Sequence, residues 1–294
     1  MKKIGLLLVS LCAILAGCSS SGEKPLEKIT IGVMPSLDSV PVIWAEKQGY
    51  FEELGLEVEL IVYSNGNDRD TQVQTKAVDA VVTDIMGLVA MREAGYDVVG
   101  LSSTQTIFSM VTKEENLTKD VISVGMAEVS VTQYAADLGL TDFTIKKEFI
   151  DAVPQRLEMV AKGLLDGAIL PEPMASMSVV NGLDRIVLEF DSPNLLMWQQ
   201  SSVDSKSASI TKFYEAYNKA VGTLKDDESA LKDAVIEKLG LDTQIKDSMV
   251  FPTYTEASEL SETVYDSVVS WMKSTLDMDT DVKFEDAVNT NWVK

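Results

Sequence analysis

The sequence predicts an α/β protein of two lobes, each a mainly parallel sheet flanked by helices, with a cleft between them. Three observations carry this expectation. Residues 29–62 read as one strand–loop–helix–strand unit, strand and helix patterns then alternate through short connections to about residue 190, and one short layout occurs twice.

In the opening unit Ile29, Ile31 and Val33 alternate with Thr30 and Gly32, the period of a strand. A loop from Met34 to Ser39 follows, and Pro41 sits early in the next helix, where its missing N–H costs nothing. Gly49 and Gly55 stop two helical segments, and Val58, Leu60 and Val62 alternate as a second strand. Strands are then expected at 78–82, 97–101, 107–112, 121–125, 144–150, 166–170 and 185–190, with residues 195–203 running back toward the first lobe. Helices are expected at 68–76, 86–94, 130–138 and 154–162; Ser130 is an N-cap candidate, and Leu157, Val160, Ala161 and Leu164 form an apolar stripe. Beyond Ser207 the pattern is mainly amphipathic helix, as with Phe213, Tyr217, Ala220 and Val221.

The repeated layout joins Lys76-Ala77-Val78-Asp79-Ala80-Val81-Val82 to Gly163-Leu164-Leu165-Asp166-Gly167-Ala168-Ile169. Each copy is a helix end, an aspartate, a small residue and a buried strand. Two similar lobes joined by crossing strands follow, and their cleft is the natural pocket. Residues 29–107 and 199–294 are assigned to the first lobe and 108–198 to the second.

The 294 residues carry 46 acidic and 25 basic side chains, a formal net charge of −21 that argues against nucleic acid or an anionic membrane surface as partner. There is no histidine, so the commonest general base and zinc ligand are missing. The two cysteines, Cys12 and Cys18, both precede residue 19. No metal site and no cofactor is expected.

Residues 1–17 read as an export signal: Lys2-Lys3, an apolar run from Ile4 to Leu15 too short to span a bilayer comfortably, then small residues. The box Leu15-Ala16-Gly17-Cys18 resembles a bacterial lipoprotein processing site, which implies cleavage before Cys18 and lipidation of its sulfur; ordinary signal cleavage is the alternative. Residues 18–28 would be a flexible tether.

Polar residues recur at the predicted strand ends. The ligand-binding candidates are Ser36, Asp38, Ser39, Asn65, Thr83, Asp84, Thr104, Ser130, Thr132, Glu172 and Trp198. Any one of them taken singly reads as a solvated loop residue; as a set they lie where open α/β sheets place ligands. Trp198, in the return crossing, reads equally as a stacking surface for a planar ligand or as packing, whereas Trp44, in a helix, reads more readily as packing against the sheet. Arg69 and Arg156 could each clamp an acid group, or pair with a neighbour: Asp68 or Asp70 for the first, Glu158 for the second. Asp84 and Glu172, at matching strand ends, could face one ligand across the cleft, or Asp84 could cap the following helix.

The run from Ile31 to Leu60, together with residues 79–84 and 156–173, resembles the solute-binding proteins of ABC importers, in particular the nitrate, sulfonate, taurine and thiamine-precursor class. The resemblance covers about residues 29–191. It implies a type II periplasmic-binding-protein-like fold and an extracytoplasmic, lipid-anchored monomer. Such a protein captures a small polar solute by lobe closure and hands it to permease and ATPase subunits. The balance of helix N-termini against Asp38, Asp84 and Glu172 slightly favours a neutral or nitrogen-rich ring over nitrate or a sulfonate. A surface sensor of the same fold is the alternative. An enzyme is disfavoured, because the pyrimidine-forming relatives use histidine-rich and cysteine-containing sites, and the mature chain has no histidine and no cysteine beyond the lipidated Cys18.

Overall fold

The computed structural model describes residues 26–293. The expected signal, and Cys18 with most of the tether, lie outside the described residues; Glu27 and Lys28, assigned above to the tether, already belong to the first strand.

In chain order the first elements are β1 (Glu27–Val33), α1 (Val40–Lys47), α2 (Tyr50–Glu53), β2 (Leu56–Val62), α3 (Gly66–Gln74), β3 (Ala80–Asp84), α4 (Ile85–Glu93) and β4 (Val98–Ser103). The chain then crosses and forms β5 (Phe108–Thr112), β6 (Ile122–Met126), α5 (Val131–Gly139), β7 (Ile145–Phe149), α6 (Val153–Ala161), β8 (Gly167–Pro171), α7 (Met174–Val180) and β9 (Asp184–Val187). It returns as β10 (Asn194–Gln199) and ends in α8 (Gln200–Ser205), α9 (Ser207–Thr223), α10 (Glu228–Leu239), α11 (Glu262–Leu276) and α12 (Phe284–Ala287).

Two five-stranded sheets result, ordered β2-β1-β3-β10-β4 and β7-β6-β8-β5-β9. Each is mixed: β10 is antiparallel to both its neighbours, as is β5 in the second sheet. In both lobes the antiparallel strand is the one that enters straight from the other lobe. β10 lies wholly in the first sheet, so the return crossing falls at residues 188–193 instead of at 198–199.

The helices cover both sheet faces, as parallel pairing requires. On one face of the first sheet Trp44 of α1, Phe213 and Tyr217 of α9 and Val235 of α10 share a core with Ile31, Leu196 and Trp198. On the other face Leu88 of α4 and Val268 and Met272 of α11 join Val81, Leu195 and Met197, and this core continues into Met110, Tyr134 and Ile169 of the second lobe. Trp271 of α11 donates its indole N–H to Asp137 of α5 at 3.0 Å, so α11 ties the lobes together. Trp44 is a core residue whose Nε1 donates to Thr223.

The repeated layout has a physical basis. Asp79 accepts the Thr30 N–H of β1 at 2.9 Å and pairs with Lys206. Asp166 accepts the Ser123 N–H of β6 at 2.9 Å and pairs with Lys119. Each aspartate stitches the strand that follows it, β3 or β8, to its parallel neighbour, β1 or β6, just before their short register begins. Gly163 takes φ +70° to end α6, and Lys76 takes φ +57° at the matching position after α3. The stop at Gly163 also leaves Leu164 65 % exposed, off the apolar stripe it was expected to extend.

Candidate functional site

The carboxyl ends of β1, β3, β6, β7 and β8 and the start of β10 converge between the lobes on a cavity of about 100 Å³. An outer hollow of about 510 Å³ shares Gly66, Arg69, Asp84, Ser130 and Asp151 with it. The lobes touch around the cavity: Val153 N–H donates to Ser64 O at 3.4 Å, Leu37 N–H to Glu172 O at 2.9 Å, and Asn67 to Asp151.

From the first lobe, Ser36 and Asp38 line the cavity in the loop after β1, and Thr83 and Asp84 at the end of β3. Asp38 is buried; its Oδ2 accepts the Asn194 amide at 3.0 Å, and Oδ1 has no partner among the described residues. Burial pushes its carboxyl up to about 6, against the opposing pull of Asn194, Ser36 and Arg69. Asp84 caps α4, accepting the Gly87 N–H at 2.8 Å on Oδ1, while Oδ2 accepts the Val131 N–H of the second lobe at 3.0 Å. Burial raises its pKa as well, opposed by those two N–H groups and by Arg69. Thr83 Oγ1 is buried without a partner among the described residues.

From the second lobe come Ser130 and Thr132 at the start of α5. Their hydroxyls lie 2.8 Å apart, and Thr132 Oγ1 accepts the Ala127 N–H at 2.9 Å, which folds the loop tightly onto the helix end.

Both arginines line the cavity. Arg69 pairs with Asp70 at 2.8 Å, the neighbour reading, and also donates to Val82 O at 3.0 Å. Arg156 does not pair with Glu158, which instead faces solvent and pairs with Lys162. Only 1 % exposed, it donates Nη1 to Ile150 O at 2.9 Å and leaves Nε unpartnered among the described residues. Burial lowers its pKa to about 10, Asp151 opposing. A buried guanidinium with no carboxylate in contact is costly, and this one is aimed at the cavity.

Five of the candidates fall elsewhere. Ser39 is fully buried and donates to Ser36 O. Asn65 caps α3 through the Asp68 N–H. Thr104 is buried in the crossing beside Asn194. Glu172 is sequestered: it pairs with Arg185 and accepts the Ser176 hydroxyl at 2.7 Å. Trp198 packs edge-on against Phe213 at 5.5 Å, because the antiparallel β10 brings Asn194 to the cleft and sets Trp198 opposite Ala80, four residues down the sheet. Asn194 and Arg156 are the polar cavity residues absent from the candidate set that the structure makes prominent. Asn194 has no local signal, whereas Arg156 lies on one helical face with Val153, Leu157 and Val160.

Among the described residues no cluster of three or more metal-ligating side chains occurs, and no helix is long and apolar enough to cross a membrane. Geometry of this kind, two sheet lobes with strand ends meeting at a cavity between them, is that of periplasmic-binding-protein folds. Residues 36–169 match the family described as NMT1/THI5 like. Among solved structures, the chain is similar to the ligand-binding component of an ABC-type import system from Staphylococcus aureus, solved with zinc bound (13% identity, TM-score 0.74, 90% of this chain and 97% of that one). It is also similar to the periplasmic aliphatic sulphonate binding protein SsuA of Escherichia coli (12% identity, TM-score 0.70, 88% and 96%). A third is the periplasmic nitrate-binding protein NrtA of Synechocystis PCC 6803 (12% identity, TM-score 0.61, 79% and 73%). None of the curated proteins matches the sequence.

Proposed function

We propose that this chain is the solute-binding component of an ABC importer, exported, anchored through a lipidated Cys18, monomeric, and without catalytic activity of its own. The observation that carries the reading is the cavity between the lobes with polar atoms unpartnered among the described residues: Asp38 Oδ1, Thr83 Oγ1 and Arg156 Nε. Buried polar atoms are nearly always satisfied, so these are groups for a ligand to meet. Arg156 Nε only donates, and Asp38 Oδ1 accepts when the carboxyl is ionised. A solute carrying an acceptor oxygen at one end and an N–H at the other satisfies both, and a hydroxyl or amide beside them suits Thr83. The cavity admits about four to six non-hydrogen atoms in this state, since about 150 Å³ holds benzene. Arg156 shifts the balance away from a purely neutral ring and toward a ligand with a distinct anionic or carbonyl end.

Binding without chemistry fits the carboxylates. Asp84 is committed to two backbone N–H groups and Asp38 to Asn194, and a chain with no histidine offers no imidazole to activate a nucleophile. The likeness to import components supports delivery to permease and ATPase subunits. The reading is tested by denaturing the purified protein, identifying the released small molecule by mass spectrometry, and titrating it back. The expected result is a rise in Tm through binding to the folded state, and a loss of affinity of about tenfold or more in Arg156→Gln. No retained solute and no Tm response to a panel of small sulfonates, amino acids and pyrimidines would reject importer binding.

A further inference from the structure

Asp84 stands out among the cleft residues because its two oxygens serve two helices in two lobes. Oδ1 takes the Gly87 N–H at the start of α4, and Oδ2 takes the Val131 N–H at the start of α5, 47 positions away in sequence. The residue is 8 % exposed, and no lysine or arginine among the described residues is in ion-pair contact with it. The N-terminus of a helix carries partial positive charge and unmet N–H donors, which makes it a favoured seat for an anion. In this protein the seat on α5 is taken by a carboxylate tethered to the opposite lobe. Of the other polar contacts between the lobes, Val153–Ser64 and Leu37–Glu172 are neutral main-chain bonds, Asn67–Asp151 is exposed, and Ser176–Ser248 and Trp271–Asp137 involve residues that do not line the cavity.

We infer that Asp84 is a built-in anion that clasps the lobes together in the absence of solute and bars free anions from the α5 N-terminus, so that the acid end of a ligand is directed to Arg156. The inference rests on the cleft being the solute site. It explains two features together: a buried carboxylate that has Arg69 nearby yet no ion-pair contact among the described residues, and a buried guanidinium that has Asp151 nearby yet no such contact either, both lining one cavity.

Two variants separate clasp from cap. Asp84→Ser keeps an N-cap hydroxyl for α4 and is too short to reach Val131. Val131→Pro removes only the N–H that Asp84 grips; proline is tolerated at the first position of a helix, and Ser130 already has the extended backbone (φ −148°, ψ 164°) that a following proline demands. Small-angle scattering on the ligand-free proteins is expected to show a larger radius of gyration for both variants than for the wild type. Calorimetry with methanesulfonate as probe is expected to show affinity raised about tenfold in Asp84→Ser and not in Val131→Pro, which has lost the donor. Unchanged scattering in both variants, or methanesulfonate binding equal to wild type in Asp84→Ser, overturns the inference and leaves Asp84 a helix cap. Scattering of the ligand-free protein needs no solute, so this result stands apart from whether the chain proves to be an importer component.

Discussion

Replacing Asp38 by asparagine should change how stability depends on pH more than any other single substitution in the cleft. The Asp38 carboxyl is buried, and burial lifts its pKa from an ordinary 3.8 to about 6. The folded state therefore holds this proton more tightly than the unfolded chain does. Its contribution to stability is fully present below about pH 4 and is lost as pH rises through about 6. A rise of that size corresponds to about 3 kcal/mol, at about 1.36 kcal/mol per pH unit. In Asp38→Asn the side-chain amide would keep an oxygen to accept from Asn194, now at 3.0 Å from Asp38 Oδ2, and would not ionise. The difference in unfolding free energy, variant minus wild type, should thus grow by about 3 kcal/mol between about pH 4 and pH 7.5, or roughly 6–12 °C in Tm. Urea melts of ligand-free protein at half-unit pH steps measure it. Parallel profiles for the two proteins would refute the reasoning, and would mean that Arg69 and water keep the carboxylate comfortably ionised.

Three further outcomes follow from other parts of the structure. Lys76→Gly should stabilise the fold by about 1 kcal/mol in the same melts, because Lys76 holds φ +57°, a left-handed conformation costly to any side chain. Glu172→Gln should destabilise by about 3 kcal/mol through the loss of its buried pair with Arg185. Calorimetry with the identified solute should nonetheless return wild-type affinity, since Glu172 does not line the cavity. Cys18→Ser should move the protein from the membrane fraction to the soluble one and abolish labelling by radioactive fatty acid, two acyl-based signals being what a stable anchor requires.

Most of the framework is legible in the sequence because it is local. The alternation in residues 29–33, the proline at position 41 and the stops at Gly49 and Gly55 each report a conformation within a few residues, and the structure has β1, α1 and left-handed glycines there. Strand ends carry the polar residues for the same reason, and six candidates, Ser36, Asp38, Thr83, Asp84, Ser130 and Thr132, line the cavity. Asn194 and Trp198 are different. Their placement depends on β10 inserting antiparallel between β3 and β4, a pairing between segments more than 90 residues apart that no local pattern encodes. Arg156 is legible to a stricter reading of helical faces. Residues two apart on a helix do not share a face, so Glu158 is a poor partner, while Val153, Arg156, Leu157 and Val160 fall on one stripe and place a guanidinium on the buried side.

The internal repeat also accounts for the opposite fates of Asp84 and Glu172. With Asp79 set against Asp166, the strands align Ala80 with Gly167, Val82 with Ile169 and Asp84 with Pro171, so Glu172 stands one residue beyond the match. Along an extended chain one residue reverses the direction of the side chain. Pro171 accordingly lines the cavity opposite the first lobe, and Glu172 turns away from it toward Ser176 and Arg185. The aspartates that hold the strands together occupy equivalent positions in the two lobes; the groups at the strand tips do not. The first lobe offers Asp38, Asp84 and Arg69 and the second Arg156 and Asp151. With Arg69 paired to Asp70 and Asp151 accepting from Asn67, the charged groups that keep an unpartnered atom among the described residues are Asp38 on one side and Arg156 on the other, which suits a solute whose two ends differ in charge or in hydrogen-bonding sense.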